Sequence, residues 1–292
     1  MAYQYQIREQ KEIEITGYEG EIRHLVIPEA IEGLPVRRIG KNAFSGREDL
    51  LSVRLPKTID TLGRYAFYNC RNLFSLRLYD GVEDYYDGVI KQCAGLSEIT
   101  LVQTRGDYSV MKELLADNDR TLHFTVEPLG LHLTFPAYVY DFVEDVEARV
   151  LHHKIEGSGY PYRECVTRKG VDLLSYDRLF AQVVNDDYRA AIAVALDRLM
   201  YPVELEARMR ENYEQYLEQN GSCVLTELIS SGETEKIRYL CSACLIPRDV
   251  LPDALYLAAE EKKSEITALL MEYQREHFTG RQPAETLTLD EW

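Results

Sequence analysis

An apolar pattern recurs every 23 residues in the first third of the chain. At this offset Ile39 aligns with Leu62, Phe44 with Phe67, Leu50 with Leu73, Val53 with Leu76 and Leu55 with Leu78. A third copy at the same offset carries Ile90, Cys93, Leu96, Ile99 and Leu101. Fixed apolar positions between variable residues are typical of stacked units that share one continuous core. The pattern therefore predicts a solenoid.

Each unit contains a short stretch of the form L-x-x-V-x-L, whose alternate residues point to one side, as in a β-strand. Successive units then predict a ladder of parallel strands, with residues 22–28 as an irregular first rung. A fourth step of 23 residues places Ile99 on Leu122 and Leu101 on Phe124. In that step a short helix, "SVMKELLAD", is expected in place of the turn.

The repeated unit, written "IG..AF..C..L..V.LP", resembles the BspA-type leucine-rich repeat family over about residues 22–126. The resemblance implies a right-handed solenoid with a parallel strand ladder. It also implies a role in adhesion or protein binding, and many members of that family are exported to the cell surface.

The segments on either side of the repeats predict caps and a second kind of architecture. Alternating apolar residues at Tyr3 to Ile15, around a polar turn, predict a β-hairpin cap. Residues 131–142, 147–157 and 162–166 predict further strands, and helical spacing begins near residue 172. We expect an α+β fold with three segments: a leucine-rich repeat domain with its cap (1–130), a β-rich connection (131–171) and a helical domain (172–292).

The helical segment carries a weaker repeat of its own. Ile229, Ile237 and Leu240 fall on Ala258, Ile266 and Leu269 at an offset of 29 residues. This spacing predicts stacked antiparallel helix pairs. Residues 222–275 resemble degenerate ankyrin-type repeats, although the Thr-Pro-Leu-His start of that family is missing.

The charge distribution argues against nucleic acid as a partner. The net charge is −16, of which residues 1–105 contribute −1 and the remainder −15. Phosphate-backbone binding needs clustered Lys and Arg, which the acidic second half lacks.

No apolar run approaches the roughly 18 residues of a membrane span, and the start of the chain does not have the pattern of a signal peptide. With six dispersed cysteines, we expect a cytoplasmic protein without a disulfide framework.

Few residues indicate catalysis. Cys241 and Cys244 form a C-x-x-C motif, but it falls within a predicted helix, which favours two buried thiols over a redox or zinc site. His152 and His153 could combine with Cys165 as base and thiol, or with Glu144, Asp145 and Glu147 as a metal site; the alternative is a plain surface strand. A hydrolase with its site in residues 131–166 is therefore the competing function, and we expect no catalytic residue, cofactor or metal.

The outward residues of the ladder are the candidate binding site. The residue between the two inward positions of each strand points outward, which predicts a column of Val26, Arg54, Arg77, Thr100 and His123. Tyr79 extends this face. Because arginine and tyrosine are enriched at interfaces, Arg54, Arg77, Tyr79, Thr100 and His123 are predicted to bind a protein partner. The alternative is an ordinary solvated sheet face.

Overall fold

The structure is a computed structural model that describes residues 2–145 and 150–278, without the side chains of residues 141–154. Its strands are β1 (Ala2–Ile7), β2 (Ile13–Glu19), β3 (His24–Val26), β4 (Ala30–Ile31), β5 (Leu34–Ile39), β6 (Ser52–Arg54), β7 (Thr61–Leu62), β8 (Ser75–Tyr79), β9 (Asp84–Tyr85), β10 (Glu98–Val102), β11 (Leu122–Glu127), β12 (Leu131–Phe135), β13 (Val139–Asp145), β14 (Val150–Glu156), β15 (Val166–Thr167) and β16 (Gly170–Val171). Its helices are α1 (Ser109–Asp117), α2 (Gly159–Glu164), α3 (Leu173–Arg178), α4 (Phe180–Asp186), α5 (Tyr188–Met200), α6 (Ala207–Gln219), α7 (Gly221–Ser231), α8 (Thr234–Ser242), α9 (Leu251–Glu260) and α10 (Ser264–His277).

The repeats form a solenoid whose main sheet, the ladder sheet, has the strand order β12-β11-β10-β8-β6-β3. Strands β3, β6, β8, β10 and β11 run parallel, as the repeat pattern predicts, and β12 is antiparallel to β11. A second, narrower sheet has the order β1-β2-β5-β7-β9, with β4 paired to β5. The predicted solenoid fold is confirmed, and it is followed by a helical region.

The recurring apolar residues build the shared core between the two sheets. Phe44 and Phe67 are buried, and their rings stack with centroids 5.4 Å apart and planes 6° from parallel. The buried thiols of Cys70 and Cys93 donate to the carbonyls of Phe44 and Phe67, each at 3.0 Å. The recurring positions Phe44, Phe67 and Cys93 thus lie in the core, as the repeat pattern predicts, and Cys70 lies there with them.

The register of the last parallel pair differs from the expected one. Ile99 lies opposite Phe124 and Leu101 opposite Val126, so the step from β10 to β11 is 25 residues and not 23. Helix α1 replaces the turn of the other units and lengthens this unit by two residues. A two-residue shift keeps the same side chains facing inward, so alternation alone cannot reveal it.

At the N-terminal end, the predicted hairpin cap is confirmed. Strands β1 and β2 pair in antiparallel fashion, and β2 continues in parallel with β5. The hydroxyl of Tyr3 on β1 donates to the carbonyl of Val26 in β3, the last strand of the ladder sheet, at 2.6 Å. A side chain of the cap therefore satisfies a backbone acceptor at this edge.

At the other end, β12 is the edge strand and helices close it. The hydroxyl of Tyr176 in α3 donates to the carbonyl of Thr134 at 2.6 Å and accepts from its N–H at 3.1 Å. Helix α5 packs against β12, and its Arg198 forms a buried two-bonded ion pair with Asp177 at 2.7 and 3.0 Å. Helices α3 to α5 thus occupy the position of a C-terminal cap.

Two strand predictions in residues 131–166 are wrong in detail. The expected strand at 131–142 is two strands, β12 and β13, separated at Pro136, and β13 pairs with β14. The expected strand at 162–166 is mostly helix α2. The guanidinium of Arg163 is buried there and donates to the carbonyls of Leu115, Asn118, Arg120, Pro136 and Gly159. These long-range bonds, which no local pattern encodes, favour a helical turn at this point.

The chain consists of two compact units, residues 1–209 and 210–292. Helix α3 begins at Leu173, close to the predicted start of the helical domain, but α3 to α5 belong to the first unit. In the second unit α7 packs on α8 and α9 on α10, and the two pairs stack through α7 with α9 and α8 with α10. On α10, Ile266 and Leu270 are buried. Leu269, which aligns with Leu240 in the expected 29-residue repeat, is only half-buried.

Candidate functional site

The outer face of the ladder sheet, which points away from the core, presents its side chains in rows. One row, here called the arginine row, consists of Val26, Arg54, Arg77, Thr100 and Thr125. The neighbouring row consists of His24, Ser52, Ser75, Glu98 and His123. The placement of His123 beside Thr100 is therefore wrong, because the two-residue lengthening at α1 moves Thr125 into the arginine row and His123 into the other.

His123 contributes to an internal network. Its Nδ1 lies 2.8 Å from the hydroxyl of Thr134, and that hydroxyl donates to the carboxylate of Asp197 on α5 at 2.6 Å. Since Thr134 has one hydroxyl proton, Nδ1 of His123 carries the hydrogen in this arrangement. Next to it, the rings of His132 and Tyr201 stack with centroids 3.5 Å apart. The β11–β12 end of the outer face is thus occupied by the chain's own helical cap.

Arg77 is committed to an ion pair across the sheet. Its guanidinium reaches past the intervening strand β10 and makes two parallel bonds to Glu127, at 2.8 and 2.9 Å. The pair raises the pKa of Arg77 and lowers the pKa of the Glu127 carboxyl, mainly through these hydrogen bonds. Tyr79 stands at the same border, in line with Val102 and Glu127. Arg77 therefore offers a partner little net charge.

Arg54 differs from Arg77. It is exposed, and its side chain makes no ion pair or hydrogen bond to any residue that the structure describes. Val26 beside it is 55 % exposed. Leu51 and Phe74, one repeat apart at the start of β6 and β8, are 36 % and 55 % exposed. We group these four exposed residues of neighbouring rungs, Val26, Leu51, Arg54 and Phe74, under the name open patch.

Sequence reasoning missed Leu51 and Phe74, although a signal was present. Each follows directly after a buried leucine of the repeat, Leu50 and Leu73, at a variable position of the L-x-x-V-x-L stretch. Large apolar side chains that are exposed at this variable position in two successive units have no role in the core. They are informative because exposed apolar groups that cluster often mark an interaction surface.

Cys165 is the one residue of the competing enzyme hypothesis whose side chain is described, and it is not placed for catalysis. Cys165 is buried, its thiol lies 3.6 Å from the carbonyl of Pro161, and burial raises its pKa to about 11. A thiolate nucleophile is disfavoured at such a position. Glu147 and the side chains of Glu144, Asp145, His152 and His153 lie outside the described part of the chain.

The C-x-x-C motif does not lie within one helix. Helix α8 ends at Ser242, and Cys244 follows in a left-handed conformation with φ 56° and is exposed. Cys241 is half-buried, and burial raises the pKa of its thiol to about 11. The expectation of two buried helical thiols is thus wrong for Cys244. Among the side chains of residues 3–140 and 155–278, no group of three or more His, Cys, Asp or Glu is placed to hold a metal.

Known proteins match this chain in its repeat region. The family described as BspA type Leucine rich repeat region matches six times over residues 18–113. A leucine-rich repeat protein of Treponema pallidum is similar, with 23% identity, coverage of 34% of this chain and 68% of that one, and a TM-score of 0.25. A leucine-rich repeat protein from Bacteroides capillosus shows 23% identity, 34% and 76% coverage and a TM-score of 0.25.

A leucine-rich cell surface protein from Faecalibacterium prausnitzii is similar at 17% identity, with coverage of 54% of this chain and 57% of that one and a TM-score of 0.26. No curated protein matches. The family match ends at residue 113, so the ankyrin-type resemblance at 222–275 stays a prediction. No helix within the described residues is both long and apolar enough to cross a membrane. The strand ladder, its stacked core and the sixfold match agree: residues 18–113 of this chain are BspA-type leucine-rich repeats.

Proposed function

We propose that this chain is a non-catalytic protein-interaction module and that its open patch binds the partner. The observation that carries the proposal is the combination of three exposed apolar side chains with Arg54, an arginine without a partner among the described residues. An apolar anchor beside a charge is the usual composition of a binding hot spot. Leucine-rich repeat proteins generally act in protein interaction, which agrees with this role.

The chemistry of the patch indicates the kind of partner. Arg54 matches a carboxylate, and Val26, Leu51 and Phe74 match apolar side chains around it. Arg77, Tyr79 and Thr100 are proposed as the border of the contact, whereas His123, which bonds to Thr134, is the least accessible of the expected residues. The partner is therefore proposed to present an acidic residue within an apolar segment.

The size of the ladder face suggests modest affinity. Five parallel strands of three to six residues, about 4.8 Å apart and at most about 20 Å long, give a face on the order of 300 Å² or less. A stable interface buries roughly 800 Å² per partner. We therefore propose that the partner also contacts surface beyond the ladder sheet.

The test compares a double variant of the open patch with a charge reversal at another exposed site. Partners are crosslinked and recovered from the native cell with the full chain, with Arg54→Glu combined with Phe74→Ala, and with Lys112→Glu as a control. Lys112 is exposed on α1, away from the open patch. We expect the patch variant to lose about tenfold or more of the partner signal and the control to retain it. Equal recovery by the patch variant would show that binding occurs elsewhere.

The absence of catalysis is part of the proposal. Its support is the repeat architecture together with the burial of Cys165, and it is tested by a broad screen for hydrolysis. Turnover that disappears in Cys165→Ala would overturn it.

A cytoplasmic location is likewise proposed, because all six cysteines are free thiols, as expected in a reducing compartment. Cell fractionation tests the location.

A further inference from the structure

A second surface, distinct from the open patch, concentrates positive charge. A depression of about 280 Å³ lies along the second sheet and is lined by the basic side chains of Arg8, Arg38, Lys41 and Arg64, together with Glu14 and Tyr86. The chain as a whole has a net charge of −16. Four cations around one carboxylate are therefore a strong local departure from the charge of the protein.

Two of the four cations are already neutralised within the protein. Arg8 bonds to Glu14, and Arg38 lies 3.4 Å from the carboxylate of Glu12. Lys41 and Arg64 are exposed and make no ion pair or side-chain hydrogen bond with any residue that the structure describes. The uncompensated charge in the depression is thus two positive units, from one lysine and one arginine.

The repeat geometry places these two residues side by side. Ile39 pairs with Leu62 in adjacent parallel strands, and the N–H of Asn42 donates to the carbonyl of Arg64 at 3.1 Å. Lys41 and Arg64 are therefore equivalent positions of neighbouring units, about 4.8 Å apart along the stacking direction. An anion between them can contact both.

The lining between these residues is backbone at Gly63 and is covered at Gly40 by the carboxylate of Glu14. Gly40 and Gly63 line the depression at equivalent positions, and a Cβ on Gly63 would lie 2.7 Å from the carbonyl carbon of Gly40, whereas a Cβ on Gly40 would lie 2.7 Å from the carboxylate of Glu14. A side chain at position 63 therefore cannot fill this space, and the charge of Glu14 is offset by its bond from Arg8. The backbone N–H groups of Lys41 and Arg64, which follow these glycines, donate to no acceptor within the described residues. Two unpaired cationic side chains and two unbonded backbone N–H groups therefore belong to residues that line the depression.

We propose that this depression binds a phosphate group in its dianionic form. A phosphate monoester carries about two negative charges and three acceptor oxygens, which matches two unpaired cations and two N–H donors. A carboxylate would leave one positive charge uncompensated. The half-exposed ring of Tyr86 (49 %) forms a wall beside the depression against which the organic part of an ester can lie.

The test measures binding of inorganic phosphate to the full chain by calorimetry, with sulfate and acetate as comparison anions. The variant is Lys41→Gln with Arg64→Gln, and the matched control is Lys91→Gln with Lys112→Gln, two exposed cations that do not line the depression. We expect saturable binding of phosphate and sulfate at pH 7.5, weak binding of acetate, and a loss of about tenfold or more only in the Lys41/Arg64 variant.

The pH dependence separates a dianion site from general charge attraction. Inorganic phosphate loses its second charge at about pH 7 and a phosphate monoester at about pH 6, so the affinity of inorganic phosphate should fall between pH 7.5 and 5.5, while that of sulfate should not. The carboxylates near the site, Glu12 and Glu14, affect both anions alike. Absence of saturable binding, an equal loss in the Lys91/Lys112 control, or equal affinity for acetate would each overturn the proposal.

A phosphoserine peptide identifies the source of the group. Binding much tighter than that of inorganic phosphate assigns the site to a phosphorylated protein segment, and similar binding assigns it to small phosphate esters; both results support the site. Because Arg54 and Phe74 do not line the depression, failure here leaves the proposed role of the open patch untouched.

Discussion

Each unit of the solenoid places two residues in the left-handed region of backbone conformation, at equivalent positions of the repeat. The first position is occupied by Asn42, Tyr65 and Gly88, and the second by Gly46, Asn69 and Gln92. Glycine and asparagine tolerate positive φ, whereas tyrosine and glutamine adopt it rarely. The stacking of units therefore stabilises a conformation that these side chains oppose.

Gly88 and Gly46 offer a matched pair for substitution by alanine. Their φ values are 73° and 72°, but a Cβ at Gly88 would overlap the ring of Tyr65, whereas no atom lies within 4 Å of one at Gly46. We expect Gly88→Ala to lower the free energy of unfolding by about 1–3 kcal/mol more than Gly46→Ala. Denaturant unfolding measures the difference. If Tyr65→Ala does not relieve it, the clash is not its cause.

Phe67 and Phe74 test the inner and outer sides of one unit. Phe67 is fully buried against Phe44, and Phe74 is 55 % exposed. We expect Phe67→Ala to cost about 3–5 kcal/mol of unfolding free energy and Phe74→Ala less than about 0.5 kcal/mol. Thermal and denaturant unfolding of the two variants provide the measurement. A similar loss in both would contradict the assignment of Phe74 to the open patch.

At the scale of elements, the closure of β12 depends on one hydroxyl. Tyr176 and Tyr162 are both buried, with rings 4.7 Å apart, but only Tyr176 bonds to the edge strand. The hydroxyl of Tyr162 has no hydrogen-bond partner in the described structure. We expect Tyr176→Phe to cost about 1–3 kcal/mol, because Thr134 loses its partners, and Tyr162→Phe to be neutral or stabilising. Equal effects, measured by denaturant unfolding, would refute this role of Tyr176.

The first two rungs are joined through a carboxylate that makes stability depend on pH. The carboxylate of Asp49 accepts hydrogen bonds from Arg47 and from the N–H of Ile22. The bond from Arg47 is the main reason that the pKa of Asp49 falls to about 2. A depressed native pKa stabilises the fold above the unfolded value, near 3.9, and the contribution is lost as pH falls towards 2. Asp49→Asn should cost about 1–2 kcal/mol at pH 7 after allowance for solvent screening.

The measurement is the midpoint of urea unfolding between pH 7 and pH 2. The difference between the wild type and Asp49→Asn should narrow as the pH falls below about 4. Glu48→Gln, which removes an exposed neighbouring carboxylate, is the control variant. A constant difference at all pH values would exclude ionisation of Asp49 as the source.

The sequence predicts elements well where a pattern repeats and poorly where a distant contact decides. The repeats predict the parallel ladder, the Phe44–Phe67 spine and the row containing Arg54, because apolar periodicity follows directly from burial. Alternation cannot reveal the 25-residue step that displaces His123, since a shift of two keeps the inward set. The bond of Arg77 to Glu127, 50 residues away, and the carbonyls around Arg163 depend on tertiary geometry alone.

At the scale of the whole molecule, the repeats and the first helices form one unit. Residues 1–209 are compact by themselves, and α3 to α5 complete the edge of the ladder sheet. A fragment of residues 1–130 lacks β12 and its cover, which exposes both an apolar core surface and a strand edge. We expect this fragment to aggregate or unfold at low temperature and a fragment of residues 1–209 to unfold cooperatively. Scanning calorimetry with light scattering compares them; a stable monomeric 1–130 fragment would contradict the role of the helical cap.

The two tyrosine-closed edges constrain how this protein can change in length. Tyr3 bonds to the carbonyl of Val26 at one edge, and Tyr176 bonds to Thr134 at the other. A unit added beyond either edge would displace a cap, whereas duplication of an interior unit of 23 residues would preserve both. Each such duplication lengthens the ladder by about 4.8 Å and adds one residue to every row of the outer face. Relatives with longer solenoids should therefore differ from this chain by internal gain of whole units between two unchanged ends.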